Sequence, residues 1–134
     1  MNSKVTVLIV EHNPLVALDL TEMIEEMGIT RIFTVANAIE ARKVADKQYI
    51  SIALLDVNLR GGEDGALLAR HLTNRTNAKI IYLITDSRIA ALKRVKETNP
   101  ISILKKPFVD EDLTNALKLA MVFNSGGKSN SYLD

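Results

Sequence analysis

The sequence predicts one doubly wound α/β domain of the (βα)5 type, and three observations support this. The chain has 134 residues, 47% of them hydrophobic, which is the size of a single globular domain. Short apolar runs rich in branched residues recur at 5–10, 31–36, 50–55, 78–85 and 101–104, each followed by a stretch with helical spacing. The runs lack the alternation of half-exposed sheets, so we expect a five-stranded parallel sheet with helices on both faces.

The first two strand–helix units have recognisable helix boundaries. After the first strand, one apolar stripe comprises Ala17, Leu20, Ile24 and Met27. Pro14 suits the first turn of this helix, and Gly28 suits its end. After the second strand, Asn37 followed by Glu40 resembles a capping box at the start of the second helix.

The remaining three units follow the same plan. The third helix is expected to begin near Asp64 and to bury Leu68 and Leu72. Asp86 or Ser87 can cap the fourth helix, whose buried side comprises Ile89, Leu92 and Val95. Asp110 can cap the fifth helix, which has the clearest stripe in the chain: Leu113, Ala116, Leu117, Ala120 and Met121.

Composition excludes several classes of protein. Seventeen basic and sixteen acidic residues leave a formal charge of +1, so no strong field attracts nucleic acid or an anionic membrane. The absence of cysteine excludes disulfides and thiolate metal sites, and no signal peptide or membrane span is recognisable, so we expect a cytoplasmic protein. The predicted domain covers 1–124, and a polar, flexible tail covers 125–134.

Polar side chains follow four of the predicted strands. The first strand ends in Glu11-His12 and the third in Asp56. The fourth ends in Thr85, and the fifth in Lys105-Lys106-Pro107. Open α/β sheets bind ligands beyond the carboxyl ends of their strands. We therefore expect an acidic pocket with a hydroxyl and an ammonium group at its rim.

Such a pocket favours a metal ion and phosphoryl chemistry. Neighbouring carboxylates repel each other unless a cation neutralises them, and Mg²⁺ prefers carboxylate, carbonyl and water oxygens. Asp56 can then act as the nucleophile towards a phosphoryl group. Thr85 can donate a hydrogen bond to that group, and Lys106 can pair with Asp56 before the reaction and with phosphate after it.

The ordered set of motifs resembles the CheY-like receiver domains of two-component systems over residues 4–123. The matching pieces are Glu11 after Leu8-Ile9-Val10, Leu55-Asp56-Val57-Asn58-Leu59 followed by Asp64-Gly65, Thr85 after Tyr82-Leu83-Ile84, and Lys106-Pro107-Phe108. The resemblance implies a flavodoxin-like sheet with strand order 2-1-3-4-5 and a cis Lys106-Pro107 bond. It implies that Asp56 is the phosphoacceptor, assisted by Thr85 and Lys106, the lysine directly before the proline. It also implies that Glu11, Asp56 and the backbone carbonyl of Asn58 hold Mg²⁺.

Three positions depart from the pattern of this family. His12 replaces an acidic metal ligand, which weakens Mg²⁺ binding and leaves Mn²⁺ as an alternative; His12 itself is either a ligand or a loop donor. Ile103 stands where an aromatic residue usually moves on activation. Asp86 follows Thr85 where a small residue is common, and it either crowds the phosphate entrance or caps the fourth helix.

The resemblance implies a signalling module rather than a metabolic enzyme, acting in a phosphorelay as a monomer or a phosphorylation-dependent dimer. A sensor histidine kinase or phosphotransfer protein is the expected donor, and the fourth helix, fifth strand and fifth helix are the expected effector surface. The fourth helix has a basic outer side, comprising Arg88, Lys93, Arg94 and Lys96, which favours an acidic protein over DNA.

Three other functions stay open at this stage. His12 and Ile103 favour a pseudo-receiver that binds partners without phosphorylation. A phosphatase of the haloacid-dehalogenase type requires a second acid where Asn58 stands. A flavin mononucleotide binder fits the fold, but the turn at 11–14 is too acidic to hold its phosphate.

Overall fold

Strands and helices alternate along the chain as predicted. The computed structural model describes residues 4–57, 64–85 and 89–129. Within these ranges the elements are β1 (Thr6–Val10), α1 (Pro14–Glu26), β2 (Arg31–Val35), α2 (Ala38–Lys47), β3 (Ile52–Asp56), α3 (Gly65–Thr76), β4 (Lys79–Ile84), α4 (Ile89–Lys96), β5 (Ser102–Lys105) and α5 (Asp110–Ser129). The strands form one parallel sheet in the order β2-β1-β3-β4-β5. The predicted fold class and strand order are confirmed.

The two faces of the sheet carry separate apolar clusters. Leu8, Leu55 and Tyr82 belong to the cluster that includes the inner sides of α2 and α3. Ile9, Leu54 and Leu83 belong to the cluster that includes the inner sides of α1 and α5. Because β1, β3 and β4 contribute to both clusters, their side chains are buried on both faces, which explains the unbroken apolar runs.

The ends of α1 follow from its local sequence. Asn13 is the N-cap, and its side chain accepts hydrogen bonds from the backbone N–H groups of Leu15 at 3.0 Å and Val16 at 3.4 Å. Pro14 occupies the first turn, as predicted. After α1, Gly28 has φ of 86°, a conformation that disfavours other residues. Pro14 and Gly28 thus delimit the helix as expected, whereas Asn13 was not anticipated.

The capping box predicted before α2 forms with a small variation. The Asn37 side chain accepts from the Glu40 backbone N–H at 2.9 Å. The Glu40 carboxylate in turn accepts from the backbone N–H of Ala36 at 3.1 Å, one residue earlier than in the standard box.

The start of α3 lies directly against the end of β3. Asp64 is the N-cap, as predicted, and its side chain accepts from the Ala66 backbone N–H at 2.9 Å. A Cβ atom at Gly65 would lie 3.0 Å from the carbonyl oxygen of Val57 and 3.4 Å from that of Asp56. A glycine therefore lets the helix approach the strand end that carries Asp56.

The helix α5 overlaps the first residues of the predicted tail. The helix continues to Ser129, whereas the flexible tail was expected from residue 125. Once a helix is nucleated by its packed turns, each further residue adds a hydrogen bond, so the helix can extend into a poorly helical sequence. Residues 130–134 and the proposed caps Asp86 and Ser87 lie outside the described residues, and the division at 124 stays a prediction.

No helix in the described ranges has both the length and the apolar character needed to cross a membrane.

Candidate functional site

The register of the sheet brings the four predicted polar positions to one edge. Glu11, Asp56, Thr85 and Lys106 each stand two residues after an apolar residue of the cluster shared with α1 and α5, namely Ile9, Leu54, Leu83 and Leu104. Side chains alternate along a strand, so positions two apart share a face. Ile9 pairs with Leu54, and Leu83 pairs with Leu104. The four polar residues therefore lie on one face of the sheet, at the carboxyl ends of the strands.

Two buried carboxylates form the centre of the site. Glu11 and Asp56 are each 3% exposed. The backbone N–H of Glu11 donates to the carbonyl of Val35 at 3.0 Å, which prolongs the pairing of β1 with β2. The Glu11 Oε2 atom accepts from the backbone N–H of Asn13 at 3.1 Å. The residue that caps α1 thus also holds the Glu11 carboxylate in place.

Lys106 contacts both carboxylates. Its Nζ lies 3.1 Å from Glu11 Oε1 and 3.4 Å from Asp56 Oδ2. The backbone N–H of Lys106 donates to the carbonyl of Ile84 at 2.8 Å, and the Lys106-Pro107 bond is cis, as predicted. Lys105, by contrast, is exposed. The ammonium group of Lys106 offsets the repulsion between two acids that share one pocket.

His12 faces the same two carboxylates. Its Nδ1 atom lies 3.8 Å from Glu11 Oε2 and 3.7 Å from Asp56 Oδ2. This nitrogen is buried and has no hydrogen-bond partner among the described residues, although the side chain as a whole is 32% exposed. Ligand atoms of Glu11, His12 and Asp56 all lie within 4.8 Å of one another.

This donor set suits a divalent cation. Two carboxylates and an imidazole with an unpaired, buried nitrogen supply three groups that bind such ions. The Asn58 carbonyl, which the resemblance adds to this set, lies outside the described residues.

Thr85 and Ile103 occupy contrasting places. Thr85 directly follows β4 and is exposed at the edge that carries Asp56. Ile103 is half-buried in the cluster on the opposite face of the sheet, where it pairs in register with Tyr82. Asp86, the third departure from the family pattern, lies outside the described residues.

Tyr82 is an aromatic residue fixed beside Ile103. Its hydroxyl lies 2.6 Å from Thr98 Oγ1, and Thr98 donates its own proton to the carbonyl of Val95 at 2.7 Å. Because a threonine hydroxyl has one proton, Tyr82 is the donor in this pair. Burial raises the pKa of Tyr82 above its usual value of 10.0, although the charge of Arg70 opposes the rise.

A groove leads away from the acidic pocket along α1. Its volume is about 560 Å³, and it is lined by Glu11 and His12 together with residues of α1, of the end of β2 and of the first turn of α2. Leu18 lines the groove and is 53% exposed, and Leu15 in the preceding turn is 73% exposed. An apolar surface therefore adjoins the buried carboxylates.

An ion pair that the sequence did not suggest links α4 to the start of α3. Arg94 pairs with Asp64, the N-cap of α3. The sequence indicated a cap at Asp64 and an exposed basic face around Arg94, but the two residues are 30 positions apart. Nothing in the local patterns joins them.

Comparison with known proteins gives a consistent family assignment. The model of the response regulator receiver domain matches residues 7–118. The chain is 29% identical over 115 residues to the transcriptional regulatory protein PdtaR of Mycobacterium tuberculosis, which covers 86% of this chain and 56% of that protein. It is 25% identical over 118 residues to sporulation initiation phosphotransferase F of Bacillus subtilis, covering 88% of this chain and 93% of that protein. The chain thus spans little more than half of PdtaR.

A solved structure is similar to this chain over nearly the whole length of both. The signal receiver domain of a modulated diguanylate cyclase from Desulfovibrio desulfuricans G20 superimposes with a TM-score of 0.82 at 30% identity. The match covers 90% of this chain and 95% of that one.

Proposed function

This chain belongs to the response regulator receiver family, and from that membership we propose that it is a phosphorylation switch whose Asp56 accepts a phosphoryl group. The observation that carries the proposal is the pair of buried carboxylates, Glu11 and Asp56, contacted by Lys106 Nζ at 3.1 and 3.4 Å. The proposed donor is a phosphohistidine of a sensor histidine kinase or of a phosphotransfer protein.

The proposed step is an in-line transfer to a carboxylate oxygen. An oxygen of Asp56 forms a bond to phosphorus, and the bond from phosphorus to the donor's imidazole nitrogen breaks. The electron pair of that bond stays on the nitrogen, and the imidazolate so formed takes up a proton from solvent to become a neutral imidazole. The product is an acyl phosphate on Asp56, an established form of covalent intermediate.

A divalent cation, Mg²⁺ or Mn²⁺, belongs to this proposal. Glu11 and Asp56 would hold it, with His12 and the Asn58 carbonyl as further donors. When bound, the ion neutralises the charge that the phosphoryl oxygens bring to the pocket.

Lys106 and Thr85 have proposed roles after the transfer. Lys106 Nζ contacts Asp56 through a single oxygen, Oδ2, and its flexible stem lets the ammonium follow the charge to a phosphoryl oxygen. Thr85 lies exposed at the same edge, where its hydroxyl can donate to the phosphoryl group. As Lys106 and Thr85 turn towards the charged phosphoryl group, they would displace the chain segments that follow β4 and β5.

The groove along α1 is the proposed entry for the phosphodonor. It reaches Glu11 and His12, and the exposed Leu15 and Leu18 offer apolar contact area beside it. A partner seated on α1 would bring its phosphohistidine to the edge that carries Asp56.

The surface formed by α4, β5 and α5 is the proposed output. Lys93, Arg94 and Lys96 are exposed on α4, and Val122 and Phe123 are exposed on α5, at 66% and 52%. A surface that carries both basic and apolar groups suits an acidic protein partner with apolar anchors.

The test is chemical labelling of the purified chain. With acetyl phosphate and either Mg²⁺ or Mn²⁺, we expect one phosphoryl group per chain, stable to acid and labile to base and to hydroxylamine. Peptide mapping would place it on Asp56. Asp56→Asn should abolish the label, whereas Asp46→Asn, at an exposed carboxylate that pairs with Arg75, should leave it unchanged.

The second candidate is a pseudo-receiver that binds its partner without phosphorylation. Two features favour it: His12 Nδ1 stands where a carboxylate would hold Mg²⁺, and Ile103 cannot act as an aromatic switch. Folded protein that stays unlabelled with both metal ions would defeat the phosphorylation switch and leave this candidate in its place.

A further inference from the structure

We propose that the cation site of this chain selects divalent ions of the first transition series over Mg²⁺, because His12 supplies an imidazole ligand beside Glu11 and Asp56. The inference rests on the cation site of the proposed function and specifies which ion that site takes. It does not require that Asp56 be phosphorylated.

The distances from His12 allow it to share an ion with each of the two carboxylates. Bonds from nitrogen and oxygen ligands to such ions are about 2.1 Å, so two ligands of one ion lie at most about 4.2 Å apart. His12 Nδ1 meets this limit with Glu11 Oε2, at 3.8 Å, and with Asp56 Oδ2, at 3.7 Å. The same distances are too long for direct hydrogen bonds, which leaves the lone pair of Nδ1 available to a metal.

Lys106 occupies a different side of the pocket. Its Nζ contacts Glu11 Oε1, whereas His12 faces Glu11 Oε2. An ion bound beside His12 can therefore leave the contact between Lys106 and Glu11 in place. The bound ion and the ammonium group of Lys106 would compete only near Asp56 Oδ2, which lies close to both Lys106 Nζ and His12 Nδ1.

The identity of the ligands determines which ions the pocket favours. Mg²⁺ binds through oxygen and dehydrates reluctantly, so a nitrogen ligand contributes little to its affinity. Imidazole suits transition ions, whose affinities for nitrogen and oxygen sites rise from Mn²⁺ through Co²⁺ towards Cu²⁺. One imidazole in place of a carboxylate thus lowers the affinity for Mg²⁺. It also raises the affinity for Co²⁺ relative to the affinity for Mg²⁺.

The formal charge of the loaded pocket also suits its proposed task. Two carboxylates and one ammonium group sum to −1, with His12 counted as neutral, the form that binds metals. A divalent ion changes this sum to +1. Because it contains one carboxylate fewer, the loaded pocket attracts a phosphoryl group more strongly than an all-acidic ligand set with the same ion would.

The experiment measures metal binding without any phosphodonor. The chelator-treated chain of 134 residues is titrated by calorimetry with Co²⁺ and, separately, with Mg²⁺, and the visible absorption of bound Co²⁺ is recorded. We expect the Kd for Co²⁺ to be at least about tenfold below that for Mg²⁺. In His12→Asp the ratio of the Kd for Mg²⁺ to the Kd for Co²⁺ should fall by at least about tenfold. The Co²⁺ spectrum should also change, because the nitrogen ligand is lost.

The control is His71→Gln, which removes the only other histidine of the chain, on α3. It should keep both the ratio and the spectrum of the wild type. His12→Gln provides a second variant without a new charge, and it should also lose the preference for Co²⁺. Equal affinities for the two ions in the wild type, or a ratio unchanged in both His12 variants, would overturn the inference.

This outcome is separable from that of the labelling experiment. A selective site on a chain that is never labelled would retain the inference and defeat the phosphorylation switch. Labelling of Asp56 on a chain that binds Mg²⁺ as tightly as Co²⁺ would do the reverse.

Discussion

Replacing Lys106 by methionine tests the electrostatic account of the pocket. The substitution keeps an unbranched apolar stem and removes the ammonium group that lies 3.1 Å from Glu11 and 3.4 Å from Asp56. Both carboxylates would remain buried, with side chains 1% and 5% exposed, and their mutual repulsion would no longer be offset by Lys106.

The expected loss follows from the burial of this ion pair. Removing one partner of a buried pair costs about 3–5 kcal/mol, because the other charge is left uncompensated. The Lys106 side chain is 20% exposed, so solvent already screens part of the interaction. We therefore expect Lys106→Met to lower the free energy of unfolding by about 2–3 kcal/mol in the presence of a chelator.

The assay is urea unfolding followed by far-ultraviolet circular dichroism, with and without a saturating divalent cation. A cation at a hundred times its Kd stabilises a folded protein by about 2.7 kcal/mol. Because the cation also supplies the positive charge that Lys106→Met lacks, it should stabilise this variant more than the wild type, and the difference in stability should shrink. Lys105→Met is the matched control, because this neighbouring lysine is exposed. Equal stability of the two variants in chelator would refute the reasoning.

Two further predictions concern Tyr82 and Gly65. Because burial raises the pKa of Tyr82 in the folded state above the unfolded value of 10.0, its contribution to stability is present below pH 10 and is lost as pH rises through the folded pKa. In urea unfolding at pH 8 and pH 11, Tyr82→Phe should therefore lose less stability between the two pH values than the wild type, whereas Tyr49→Phe, at a side chain 62% exposed, should match the wild type. Gly65→Ala should be destabilised by about 1–3 kcal/mol in the same assay, because its Cβ would lie 3.0 Å from the Val57 carbonyl. A gain in stability, as helix propensity alone predicts, would contradict the close approach.

The fold was predictable because its elements are locally consistent. Apolar runs without alternation, followed by helical stripes with caps at Asn37 and Asp64, leave few alternatives to a parallel sheet covered on both faces. Asn13 was missed although its signal was present, since asparagine directly before a proline at the first helical position is a strong start signal.

The candidate site was only partly predictable. Sequence order placed Glu11, Asp56 and Lys106 at one edge, because strand ends of a parallel sheet meet there. The orientation of His12 depends on side-chain rotation in a turn, and both a ligand and a loop donor fitted the local sequence. The pairing of Arg94 with Asp64 depends on how α4 packs beside α3, which no local pattern encodes.

The placement of the polar residues two positions after Ile9, Leu54, Leu83 and Leu104 has a consequence for how this chain can vary among relatives. A single-residue insertion or deletion inside a strand reverses the face of every later side chain in that strand, so it would turn Asp56 or Lys106 away from its partners. Insertions or deletions in the loops at the amino ends of the strands do not change which face these side chains occupy. Gaps in an alignment of relatives should accordingly fall between each helix and the next strand, and the four apolar residues are the reliable anchors for aligning the site.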